Sequence, residues 1–129
     1  MACLRVTDLH PSIDPLTGAV RREAAGLGLS DADAAALEHA LRAGERWGLP
    51  VAAVAAGGLA IDPVLREVAA LGTSVLRVET GEEDGSVAEE LVGDEHRIAR
   101  SLSRAVRAAF GSPPLVVCGD RSADRGTGA

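Results

Sequence analysis

The chain predicts an α/β fold: a three-layer, Rossmann-like parallel sheet with a small hairpin excursion after the first strand. Three observations carry this. Short, mainly apolar runs recur at Ala2 to Val6, Val51 to Ala56, Val75 to Val78 and Leu115 to Cys118. Between them lie longer segments with apolar residues at helical spacing. Glycine, proline and capping residues punctuate each change. Strands that alternate with helices imply a parallel sheet joined by right-handed crossovers.

The elements follow in order. Ala2 to Val6 reads as a short buried strand. His10 to Glu23 carries Pro11, Pro15 and Gly18, and Ile13 and Val20 flank a Leu16-Thr17-Gly18 turn, the pattern of a hairpin. Ser30 is a good N-cap, with Asp33 three residues later as in a capping box. Ala34, Leu37, Ala40 and Leu41 keep helical spacing, and Gly44 continues that face without a side chain, allowing a neighbour to approach. Gly48 and Pro50 end the helix. After the second strand and Gly57-Gly58, Asp62 caps a helix that has Pro63 at its first position. Val64, Leu65, Val68 and Leu71 line it, and Gly72 closes it. The third strand is Val75 to Val78. Eight acids and no base occupy Glu79 to Glu95, a solvated loop. Asp94 then caps a helix through Phe110, with Ile98, Leu102, Ala105, Val106 and Ala109 on its apolar face. Pro113-Pro114 precede the fourth strand.

Composition sets the limits. The 129 residues suffice for one domain, and 47% are hydrophobic with only 2% aromatic, so alanine, valine and leucine build the core. The net charge of −6 argues against binding to nucleic acid or an anionic membrane surface. No apolar run is long enough for a membrane span, and no signal peptide pattern opens the chain. All 13 basic residues are arginine, a bias that a GC-rich bacterial coding sequence explains. Cys3 and Cys118 are too few for a disulfide framework; each reads as core packing on a buried strand, and a cytoplasmic location fits.

Most catalytic motifs are missing. The first strand lacks G-x-G-x-x-G, and a P-loop is excluded in a chain without lysine. His10, His39 and His96 have no partner at ligand spacing, so no metal site is expected. Ser122 sits in no G-x-S-x-G elbow, and no nucleophile triad stands out, so no catalytic residue is assigned. Arg97, Arg100, Arg104 and Arg107 form a stripe opposite an apolar face, read as solvated.

The strongest local signal is Leu115 to Ala129, LVVCGDRSADRGTGA. In doubly wound folds, ligands sit beyond the carboxyl ends of the strands. The glycines let backbone approach a ligand, Ser122, Thr127 and the loop amides can donate to phosphate, and Arg121 and Arg125 can neutralise it. An ordinary surface connection accounts for the same residues equally well. Asp31 and Asp33 read first as helix caps, stabilised by the positive helix end, and second as groups on a ribose. The sequence reads as one domain, 1–129, cut at its phosphate loop before an expected helix.

These segments together are similar to the beta subunit of electron transfer flavoprotein. The residues that carry the likeness are ACLRVTD (Ala2 to Asp8), Ser30 to Asp33 ahead of Glu38-His39-Ala40-Leu41-Arg42, VAAVAAG (Val51 to Gly57), VAALG (Val68 to Gly72) and Leu115 to Gly128. The last resembles a strand followed by G-x-x-x-x-D-x-x-T-G. The likeness spans the whole chain, which matches about the first half of such a subunit. The lysine-free composition resembles the variant found beside mycofactocin systems.

The resemblance implies an adenine-nucleotide alpha-hydrolase-like fold. It implies an alpha-subunit partner that carries the redox FAD, flavin dehydrogenases as electron donors, and AMP or a second FAD bound here. By position the nucleotide meets Ala2, Ser30, Asp31, Ala32, Asp33, Ala56, Gly119, Asp120, Arg121, Ser122, Ala123, Asp124, Arg125, Gly126 and Thr127. The chain departs from the family at Ser30-Asp31, where Asn-Pro is common, and at Arg121, Gly126 and Ala129, where Gln, Asp and Gln are common. The runner-up is a stand-alone nucleotide-binding module of the universal-stress-protein type, which binds ATP through a longer glycine-rich loop. An adenylating enzyme on the same fold lacks support, because S-G-G-x-D-S does not follow the first strand.

Overall fold

A computed structural model describes residues 1–21, 24–79 and 95–121. The elements are β1 (Ala2–Leu4), β2 (Val6–Asp8), β3 (Ser12–Ile13), β4 (Val20–Arg21), β5 (Leu27–Leu29), α1 (Asp31–Trp47), β6 (Ala52–Ala56), α2 (Asp62–Ala70), β7 (Ser74–Val78), α3 (Glu95–Phe110) and β8 (Val117–Cys118). Four strands form a parallel sheet in the order β7-β6-β1-β8. This mixed α/β arrangement is compatible with a Rossmann-like fold.

The register sorts side chains into two faces, because in-register partners of a parallel pair point the same way. Val75, Ala53, Ala2 and Val117 form one row across the sheet. They belong to a cluster with Leu37 and Ala40 of α1 and Leu65 and Val68 of α2. Leu76, Val54, Cys3 and Cys118 form the row on the opposite face. There α3 packs against β6 and β7, and Val54 is completely buried. The core is built of small side chains, since Ala2, Ala36, Ala40, Ala52, Ala53 and Ala55 are all buried. Small residues bring helix close to sheet but bury little area each.

Helix signals act as expected at α1. Ser30 caps it and accepts from the Asp33 N–H at 3.1 Å, while Gly48 ends it at φ 63°. Gly44 faces the chain that returns to the sheet. A methyl group there meets Cγ2 of Val51 and lies 2.9 Å from the Leu49 carbonyl oxygen. Gly44→Ala is therefore expected to destabilise by about 1–2 kcal/mol through overpacking. An open helix position gains about 1 kcal/mol from the same change. Urea unfolding measures the sign.

The hairpin after the first strand is present: Ile13 pairs with Val20, and Gly18 turns at φ 70°. Other elements differ from expectation. The first strand ends at Leu4 rather than Val6, because the Arg5 N–H turns to a side chain, and Val6 opens β2. β2 pairs antiparallel with β5 in a ribbon that the sequence did not announce. On α1, Ala34 is exposed, and Asp33 and Ala36 are buried in its stead. Ile61, ending a short 3₁₀ turn from Leu59, occupies the N-cap of α2, and Asp62 is already helical. The Asp62 carboxylate instead meets Arg77 Nε at 2.8 Å. On α3, Ala109 is exposed, and cover of the sheet centres on Val106. Asp94 and the acidic stretch 80–94 lie outside the described residues.

The fourth strand departs most. Pro113-Pro114 contribute no N–H, and pairing with β1 begins only at Val117. β8 is the edge strand of the four-stranded sheet, while α3 packs mainly on β6 and β7, and Val116 and Cys118 are exposed rather than buried. Cys3 is half-buried. The expectation that both cysteines are core residues is thus corrected.

Candidate functional site

The strand order contains a reversal. From β1 the chain moves through α1 to β6 and through α2 to β7, then crosses back by α3 to β8 on the far side of β1. Between β1 and β8 the connections leave in opposite directions. A crevice opens at such a point beyond the carboxyl ends of the two strands, where doubly wound folds place ligands.

Three backbone segments meet there. Arg5 follows β1, Gly119 follows β8, and Ser30 to Asp33 start α1. Their junction is held by Asp33. Its Oδ1 accepts the Arg5 N–H at 3.0 Å, and its Oδ2 accepts the Ser30 hydroxyl at 2.6 Å. The carboxylate is buried with every bond satisfied, and it ties the end of the first strand to the start of the first helix. Gly119 passes close by: a Cβ there lies 3.2 Å from the Ala32 carbonyl carbon and 3.2 Å from the Asp33 nitrogen. Glycine lets β8 deliver its loop against the helix start without pushing that backbone aside.

The rim continues to β6 and β7. The Gly57 N–H donates to the Val78 carbonyl at 3.0 Å. Arg77, largely covered, donates to the Gly57 carbonyl at 3.3 Å and pairs with Asp62 and with Glu79 Oε1 at 3.1 Å. Its guanidinium is committed to holding loops.

Ser30, Ala32, Asp33 and Gly119 come together at the switch point. Asp31 stands exposed in the first turn of α1, and Asp120 and Arg121 are exposed just past Gly119. Ala56 ends β6 on the same rim. Ala2 opens β1 and is completely buried, away from that rim. Ser122, Ala123, Asp124, Arg125, Gly126 and Thr127 lie outside the described residues.

No family model matches the chain, and no curated protein matches it. Among the described residues, no three His, Cys, Asp or Glu side chains gather as metal ligands, and no helix is long and apolar enough to cross a membrane.

Sequence reasoning missed Arg5 and Arg77. Arg5 acts through its backbone N–H, which carries no residue-specific signal. Arg77 sits within an apolar run, and a charge there was the available hint.

Proposed function

We propose that the chain binds an adenine nucleotide at the carboxyl rim between β1 and β8. The observation that carries this is the approach of Gly119 to the Ala32-Asp33 backbone at the reversal of strand order. A helix start offers backbone N–H groups and a positive dipole end to phosphate. Asp33 is occupied inside the protein, so the exposed Asp31 is the carboxylate suited to a ribose diol. Arg121, exposed two residues past Gly119, is the positive charge suited to a phosphate.

The residues shared with the electron transfer flavoprotein beta subunit extend the proposal. On that reading the fold is of the adenine-nucleotide alpha-hydrolase-like type, and the bound nucleotide is AMP or a second FAD. The subunit then scaffolds a flavin-bearing alpha subunit, through which electrons pass from flavin dehydrogenases toward the respiratory chain. Its own residues make no bonds; the flavin carries the chemistry, and the protein positions it. This extension rests on the sequence likeness alone.

Co-expression with a flavin-binding alpha subunit tests the extended reading. A yellow heterodimer that releases AMP, or FAD in excess of one per dimer, is expected on denaturation. A colourless chain that stays alone contradicts it, and if that chain binds ATP, the stand-alone module is the better description.

A further inference from the structure

We propose that Cys3 and Cys118 form a reversible intramolecular disulfide that fastens β8 to β1. The two residues are in-register partners on neighbouring parallel strands. Their side chains therefore leave the same face of the sheet. Adjacent strands lie about 4.7–4.9 Å apart, inside the Cα separation of about 4.4–6.8 Å that a disulfide spans. Among the described residues, α3 packs mainly on β6 and β7, and Cys118 is exposed beside the half-buried Cys3.

The two thiols are unequal. Burial, then the neighbouring Cys118 thiol, push the Cys3 thiol up to about 11. Cys3 thus stays protonated at neutral pH, while the exposed Cys118 receives reagents from solvent. The oxidant is a small-molecule disulfide such as oxidised glutathione. The Cys118 thiolate attacks one sulfur of it, forms a mixed disulfide and expels one glutathione thiolate, which takes up a proton. Cys3 then loses its proton and attacks Sγ of Cys118, expelling the second glutathione. Two protein thiols are oxidised to one disulfide, and one glutathione disulfide is reduced to two thiols.

The consequence falls on the neighbouring loop. β8 is otherwise held to the first strand by its two-residue pairing, by the Val117 N–H on the Met1 carbonyl at 2.9 Å, and by the Met1 ammonium on the Leu115 carbonyl at 3.0 Å. Gly119 follows Cys118 directly. The covalent link pins that glycine against the start of α1, whatever the rim binds.

The test treats the folded chain with oxidised glutathione at neutral pH and follows intact mass, free thiols and melting. Both thiols should disappear together, the mass should fall by two hydrogens, and melting should rise by about 10 °C, all reversed by dithiothreitol. Cys3→Ser should stop at a stable glutathione adduct on Cys118. In Cys118→Ser, Cys3 should stay unreacted until urea exposes it. A stable adduct on the unaltered chain, disulfide-linked dimers, or retention of both thiols overturns the proposal.

Discussion

Asp33→Ala is expected to destabilise the chain by about 2–3 kcal/mol. The carboxylate is buried and accepts from both the Arg5 amide and the Ser30 hydroxyl. Alanine leaves both donors without their acceptor, and an orphaned buried donor costs about 1–3 kcal/mol. The Ser30 cap itself survives, because its oxygen still accepts from the backbone N–H of residue 33. Asp33→Asn keeps an acceptor for Arg5 and should lose only about 1 kcal/mol. Urea unfolding of the three proteins gives the comparison, with an unchanged slope confirming that stability alone has moved. A small domain has about 5–15 kcal/mol in all, so the alanine variant should show a visibly lower midpoint. Equal midpoints for Asp33 and Asp33→Ala would mean that the junction is held by other contacts.

The second large effect is on ligand binding. Gly119→Val places a branched side chain where even one methyl carbon sits 3.2 Å from backbone atoms of Ala32 and Asp33. Backbone cannot swing away as a side chain can, so β8 must shift outward. The strand has two paired residues to resist that shift. A cost of about 1–3 kcal/mol in stability follows from overpacking. Displacing the loop from the helix start also removes phosphate donors, and about 2 kcal/mol of lost binding corresponds to a Kd weaker by about 30-fold. Isothermal titration with AMP, beside a urea melt, separates the two losses. Full affinity in a folded Gly119→Val protein would place the ligand elsewhere.

The parallel sheet was legible because its strands are apolar runs bounded by glycine, proline and caps. The turn at Gly18 and the end at Gly48 were legible for the same reason: each adopts a positive φ that favours glycine. Gly44 was read correctly as a point of close approach. The β2–β5 ribbon was not legible. Its three-residue strands are distant in sequence, and no turn motif joins them, so tertiary pairing decides them. Asp33 read as a helix cap because acids near helix starts usually are; its bond to the Arg5 amide, beyond the end of β1, comes from a segment distant in sequence. Cys118 read as buried because LVVC is apolar throughout. Apolarity marks a strand but does not reveal that β8 lies at the edge of the four-stranded sheet, away from β6 and β7 on which α3 packs. In the candidate site, the glycine and the helix start were visible as motifs, whereas their contact was not.

Amide NMR of the chain titrated with AMP, ATP and FAD bears most directly on the central claim. Binding at the carboxyl rim predicts shifts concentrated at Arg5, Asp31, Ala32, Gly57 and Gly119, with Val51 and Thr73 at the opposite ends of the strands unmoved. Shifts confined to Val51 and Thr73, or none with any of the three nucleotides, would contradict it.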